Sequence, residues 1–367
     1  MTHVAFFSGD ITRSGGTENV SILIANALAA QADADMRYSF ISLFEETDEP
    51  FFAIDPRIAR CTVYSTVTHG IQHYFDTVKR LHQLVADHHV DVLIDIDGIL
   101  DMYSLPLRRH TGVKVVSWEH FNYLQNPGVP YRKLTRRWAA RKADAIVTLT
   151  EADKQLYESN AHPKCPVIAI PNPMRTVTPE PRYDVESRTI ISSGRLTYQK
   201  GFDMLVDVAA KVLPQHLDWR WLILGEGEDR PMLEEKIAAA GLGGRLVLKG
   251  RVDNMADYYR KAAMFVMTSR FEGLPMVLLE AKAYWLPIVS FDCMTGPAEI
   301  VTDGVNGDLT PEGDIDATAK AVNRLINDAD RRERYSAHAL DDADRFSMDE
   351  ILDQWHDLLS RLVAEGR

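Results

Sequence analysis

The chain has 367 residues, 46% of them apolar and 26% charged, with a formal charge of −12. That length exceeds one ordinary core and points to two α/β domains. The acidic balance argues against general nucleic-acid binding, which depends on cations neutralising phosphates. Cys61, Cys165 and Cys293 are odd in number and far apart, which argues against a disulfide framework or structural zinc site and for a reducing compartment. The start, MTHVAFFSGD, lacks a basic stretch followed by a long apolar run, and no segment approaches ~20 apolar residues. A cytoplasmic protein without a membrane span is expected.

In chain order, His3–Ser8, Tyr38–Phe44, Asp91–Ile96, Val113–Trp118, Ala145–Leu149 and Val167–Ile170 read as buried strands, with helices at Glu18–Ala30 and Ile71–Asp87 among them. Apolar runs without in/out alternation, separated by helices, indicate a parallel sheet covered on both faces. Pro171–Arg188 breaks the rhythm with Pro171, Pro173, Pro179 and Pro181 and reads as a linker. The alternation then restarts with strands at Thr189–Ser193, Trp219–Leu224, Arg245–Lys249, Met264–Met267 and Pro287–Ser290. Helices are expected near Asp203–Leu213, Pro231–Ala240, Pro275–Tyr284 and Asp316–Asn327. The expected organisation is one Rossmann-like domain over 1–175 and a second over 176–345. A terminal helix near 346–367 is expected to pack back on the first. Two such doubly wound sheets would face each other across a cleft at their carboxyl ends, where α/β proteins bind ligands.

The most informative stretch is Ser269–Ala281, SRFEGLPMVLLEA. Gly273 allows a tight turn and Pro275 suits a first helical turn, so the backbone N–H groups of Gly273, Leu274, Pro275's neighbours and Met276 would open a diphosphate site. Glu272 before the helix and Glu280 within it supply acceptors for sugar and ribose hydroxyls; either alone also reads as an ordinary surface or dipole-complementing acid. At the end of the first strand of the second half, Ser192–Phe202 carries Arg195, which can fork onto phosphate, and Lys200, a point charge. Near the N-terminus, Gly15 and Gly16 open a helix with Thr17 as its expected cap. His120, just past a buried strand, is placed to touch a transferred sugar.

Gly15-Gly16-Thr17-Glu18, His120, Arg195 with Lys200, and Glu272 with Glu280 together resemble retaining glycosyltransferase family 4. The match spans most of the chain in the expected order. Its specific part is the pair of glutamates with seven residues between them, followed by Leu286-Pro287-Ile288-Val289. The resemblance implies a GT-B fold and metal-independent transfer. It places Arg195 and Lys200 on the donor diphosphate, Glu272 on the sugar, Glu280 on the ribose and His120 beside the sugar. Gly16 lines the donor phosphate or acceptor side, and the base rests on Gly250-Arg251-Val252. Phe291–Ile300 is similar to enzymes of bacterial surface polysaccharide synthesis. That implies a UDP-sugar as co-substrate, with no other cofactor, and a glycan or lipid-linked acceptor. Leu274-Pro275, and Ala281-Lys282-Ala283-Tyr284-Trp285 continuing the helix of Glu280, depart from the family's commoner residues and bear on sugar preference.

Other patterns compete. Asp95-Ile96-Asp97 has the spacing of a metal-binding pair, but on a fold class lacking this second half. Gly225-Glu226-Gly227 resembles a dinucleotide fingerprint without its third glycine, leaving an NAD-dependent oxidoreductase as a rival; an epimerase of nucleotide sugars would share the architecture. Tyr131–Lys142 places six cations in twelve residues. Arg132, Lys133, Arg136, Arg137 and Arg141 on one helical face would contact an anionic membrane or a lipid-diphosphate acceptor.

Overall fold

The computed structural model describes residues 1–31, 35–68, 70–126, 129–178 and 182–364; Pro179 and Pro181 of the expected linker lie outside them. The chain divides into two compact units, Met1–Pro173 with Met348–Arg367, and Met174–Ser347.

The first unit holds a seven-stranded sheet: β1 (Thr2–Ser8), β2 (Met36–Ser42), β3 (Ala59–Thr62), β4 (Val92–Asp95), β5 (Lys114–Trp118), β6 (Ala145–Thr148) and β7 (Val167–Ala169). Their order is β3-β2-β1-β4-β5-β6-β7, and every neighbouring pair is parallel. All seven residues of β1 are buried, because helices cover both faces and leave no side for polar residues. The chain reverses direction of winding between β1 and β4, so the loops after those strands diverge and open a crevice. The helix Met348–Ala364 completes this unit. Ile351, Trp355, Leu358 and Leu362 form its buried stripe, and the Trp355 ring meets Trp118 edge-on at 4.9 Å.

The second unit holds β8 (Thr189–Ser193), β9 (Arg220–Leu224), β10 (Leu246–Gly250), β11 (Met264–Met267), β12 (Ile288–Asp292) and β13 (Gly307–Pro311), in the parallel order β10-β9-β8-β11-β12-β13. Its switch point lies between β8 and β11. No helix among the described residues is long and apolar enough to cross a membrane.

Two edge strands, β3 and β13, depart from the sequence expectation. Their sequences, ARCT and GDLTP, are short and polar, which an edge tolerates because only one side of the strand is paired.

One buried cluster sits at the end of β4. The carboxyl of Asp95 accepts from Ser104 Oγ, and Asp101 accepts from Ser117 Oγ at 2.8 Å. Burial pushes Asp95 up to about 7 and Asp101 well above the usual carboxylate range, and each carboxyl also hydrogen-bonds the other. Asp101 therefore keeps its proton in the folded state and donates it toward Asp95. The unfolded chain releases that proton above pH ~4. Stability from this group is thus full below that pH and lost as pH rises through the folded values. Asp101→Asn, which donates without ionising, should raise the melting temperature by about 2–4 °C at pH 8, with the gain vanishing towards pH 4. Thermal melts across that range check it; a lowered melting point at pH 8 would contradict the shared proton.

Candidate active site

In the second unit three loops leave the carboxyl edge of the sheet and interlock. After β8 the chain runs through Gly194 and Arg195 to a single tight turn at Tyr198–Lys200, then starts the helix Phe202–Val212. Gly201 joins them at φ +63°, and a Cβ there would stand 2.1 Å from the Thr268 carbonyl oxygen. Only glycine lets the loop after β8 press against the loop after β11 at this point.

Arg270 fixes the second loop to the first. Its guanidinium donates to Asp203 at 2.6 and 2.8 Å and to the Tyr198 carbonyl at 2.7 Å, and it stacks 4.1 Å over the Tyr198 ring. The hydrogen bonds from Arg270 hold Asp203 below the usual carboxylate range. Gln199 adds a bond to the Phe271 carbonyl at 3.1 Å. This strapping brings Lys200 Nζ to 2.6 Å from Glu272 Oε1, with both side chains largely buried. The loop after β12 clamps the other side: Thr295 Oγ1 donates to the Glu272 carbonyl at 2.6 Å.

Beyond Glu272 the helix Met276–Ala283 begins with Pro275 as its N-cap and no side-chain cap bond. The first intrahelical donor is Leu278 N to Pro275 O at 2.9 Å, so the N–H groups of Met276 and Val277 precede the ladder. Leu274 and Pro275 are buried, which restricts them to contributing backbone. Arg195 is exposed, with no side-chain hydrogen bond or ion pair among the described residues.

Glu280 faces a hollow of about 410 Å³ whose lining includes Arg175, Thr176, Tyr259, Arg260 and Tyr284. Tyr259 Oη donates to Glu280 Oε2 at 2.7 Å, and its ring stacks on Tyr284 at 5.2 Å. Burial raises the Glu280 carboxyl, opposed by the Tyr259 bond and by the charges of Arg175 and Lys200. Arg251 and Val252 line a different hollow, with Lys249, Asp257 and Tyr258. Residues 255, 256, 259 and 260 face one hollow and 253, 254, 257 and 258 the other.

In the first unit Gly15 is the N-cap of the helix Gly16–Ala30, and Thr17 lies inside it, so the expected Thr17 cap is corrected. The Glu18 side chain folds back over Gly15, where a Cβ would stand 2.1 Å from its Oε2. Gly16 has open space around its missing Cβ. His120 follows β5, its ring 4.6 Å from that of Trp118, and its Nε2 is buried without a hydrogen-bond partner among the described residues. Burial lowers its pKa to about 4 against the pull of Asp97. The imidazole is neutral at pH 7.

The basic helix Arg132–Lys142 corrects another expectation. Arg132 and Arg136 lie on its buried face with Thr135, Ala139 and Ala140, while Lys133, Arg137 and Arg141 point outward. One residue's rotation on a helix, about 100°, separates the two sets. Arg132 pairs with Asp97 at 2.5 Å; Arg136 pairs with Glu119 at 2.7 Å and donates to the Tyr123 and Gln125 carbonyls, both at 2.7 Å. Asp95 and Asp97 are thereby engaged by Ser104 and Arg132. Among the described residues no group of three or more His, Cys, Asp or Glu is set to hold a metal.

Residues 176–341 match the family model "Glycosyl transferases group 1" and 14–177 match "Glycosyltransferase Family 4". An uncharacterized glycosyltransferase of Haemophilus influenzae is 31% identical over 98% of this chain and 100% of its own length. The chain is a family 4 glycosyltransferase. The amylovoran biosynthesis glycosyltransferase AmsD of Erwinia amylovora is 29% identical over 95% of this chain and 97% of its own. The solved structure of Anabaena Alr3699/HepE in complex with UDP-glucose superposes with a TM-score of 0.77 at 19% identity, over 98% of this chain and 99% of that one. The two Rossmann-like parallel sheets are those of the GT-B class.

In this glycosyltransferase, sequence reasoning missed the groups that hold each unit's loops in shape: Asp203 and Tyr259 in the second unit, and Glu119 with the inward roles of Arg132 and Arg136 in the first. The one local signal for Glu119 was its place beside His120. Arg136 is fully buried with Glu119, and removing one partner of a buried pair strands the other charge. Arg136→Met should cost about 3 kcal/mol of stability, and adding Glu119→Leu should recover much of it. Denaturant melts of both variants check this; an Arg136→Met variant as stable as the parent would refute the pairing.

Proposed function

We propose that this glycosyltransferase moves a hexose or N-acetylhexosamine, with retention and without a metal, from a UDP-sugar to a glycan or lipid-linked acceptor in surface polysaccharide synthesis. The observation that carries the reading is the Lys200–Glu272 pair at the carboxyl edge of β8 and β11, beside an uncapped helix start. A cation and a carboxylate in contact match a donor whose diphosphate and sugar hydroxyls adjoin. Amylovoran synthesis by one relative and UDP-glucose binding by a structural neighbour support the donor and pathway class.

Departure of a nucleoside diphosphate builds negative charge. Lys200, the exposed Arg195 and the N–H groups of Met276 and Val277 would stabilise it, a role a divalent ion fills in other enzymes. Glu272 would accept a hydrogen bond from a sugar hydroxyl, which compensates it for sharing Lys200 with the diphosphate. Glu280, oriented by Tyr259, would accept from the ribose. A neutral His120 can accept or donate one hydrogen bond to the sugar without adding charge. In a front-face displacement the acceptor oxygen bonds to the anomeric carbon as the carbon–phosphate oxygen bond breaks. The acceptor's proton passes to the departing diphosphate. The first unit would take the acceptor, and the second the donor.

Turnover across UDP-, GDP- and ADP-sugars, with and without EDTA, tests this. One UDP-sugar should be used, EDTA should change nothing, and NMR should show the donor's anomeric configuration kept in the product. Lys200→Ala should lower kcat by about 10²-fold or more. Strict dependence on a divalent metal, an inverted product, or interconversion of the nucleotide sugar without any acceptor would overturn the proposal.

A further inference from the structure

The outward face of the helix Arg132–Lys142 is not a simple cationic stripe. Leu134 is 66% and Trp138 36% exposed, and they alternate there with exposed Lys133, Arg137 and Arg141. Leu134 and Trp138 also wall an apolar hollow of about 410 Å³ with Ile71, Tyr74, Met102 and Tyr131. Next to it Phe75, whose ring meets Tyr74 at 5.3 Å, is 86% exposed. Large apolar side chains gathered around one hollow mark a binding surface rather than the scatter normal on soluble proteins. The acid nearest in sequence to Phe75, Asp76, is engaged by Arg80 at 2.7 Å, so it does not cancel the cations of the helix.

We propose that this face docks on an anionic phospholipid bilayer, with Leu134, Trp138, Ile71 and Phe75 entering the headgroup–acyl boundary and Lys133, Arg137 and Arg141 meeting lipid phosphates. Charge complementarity selects this occupant. The protein as a whole carries −12 and is repelled by such a surface, so a local group of cations interleaved with Trp and Leu is what makes approach favourable. The buried arginines give the face its orientation. Arg132 and Arg136 tie the inward side of the same helix to Asp97 and Glu119, at the carboxyl ends of β4 and β5. A lipid-seated helix is thereby held directly against the edge that carries His120. This deepens the transferase reading, on which it rests for its purpose, by making the bilayer the source of the acceptor.

The test is co-sedimentation of the full chain with vesicles of phosphatidylcholine alone and of equal parts phosphatidylcholine and phosphatidylglycerol. The chain should pellet with the mixed vesicles, be released by raised salt, and stay in solution with the neutral ones. Lys133→Glu with Arg137→Glu should weaken binding at least about tenfold, since each cation near the surface is worth about fivefold. Leu134→Ser with Trp138→Ser should weaken it about as much, and unchanged melting points show that the variants fold. If the apolar pair fails to fold, the charge pair, at exposed positions, decides the matter. Equal binding to both vesicles, binding to neither, or a dimer in solution that Leu134→Ser with Trp138→Ser splits would overturn the proposal. Binding of UDP-, GDP- and ADP-sugars in the same preparation tests the transferase reading separately. Vesicle binding without nucleotide-sugar binding sinks that reading alone, and the reverse result sinks this one alone.

Discussion

Every strand pairing in both sheets is parallel, and the placement of the chemistry depends on that constraint. A parallel strand must be followed by a crossover, so each strand's carboxyl end delivers a loop and a helix start to the same edge of its sheet. Residues far apart in the chain are gathered there without any local signal. In the second unit Lys200 and Glu272, 72 residues apart, meet because β8 and β11 are neighbours. In the first unit Asp97 and Glu119 follow β4 and β5, which are also neighbours. The same edge collects helix N-termini, whose unpaired N–H groups and dipoles favour anions.

Charge management differs between the two edges. In the first unit Asp97, Arg132, Glu119 and Arg136 compensate one another, His120 is held neutral and Asp101 protonated, all by burial. Such pairs contribute little net stability, because desolvation offsets attraction; their effect is to fix the loop Phe121–Gln125 and the helix Arg132–Lys142 in place. In the second unit Arg270 and Asp203 pair with each other, while Arg195, on the loop after β8, remains exposed. The first edge thus pairs or neutralises these groups, whereas the second leaves Arg195 exposed.

Much of the fold was legible. The buried strands announce themselves as apolar runs, and Thr189–Ser193 and Met264–Met267 coincide with β8 and β11. The edge strands β3 and β13 escape because half-paired strands need little apolar character. Within the candidate sites, Glu272 and Lys200 could be singled out by residue type, but their contact could not, since it depends on sheet order. Counting cations on the basic helix missed which of them face carboxylates: the inward pull on Arg132 and Arg136 comes from residues 17 and 35 positions away. Thr17 looked like a cap because Thr commonly is one, yet Gly15 takes that position and Glu18 folds back over it.

The central claim is that Lys200 is shared between Glu272 and the donor diphosphate. Calorimetric titration of UDP and of the preferred UDP-sugar into the parent and Glu272→Gln tests it most directly. Glu272→Gln releases the ammonium from its carboxylate, so UDP alone should bind as tightly as before or more tightly, while the sugar's added affinity should fall away. If Glu272→Gln instead weakened UDP itself and left the sugar's contribution intact, the carboxylate would not be the sugar's partner, and the assignment of this pair would be wrong.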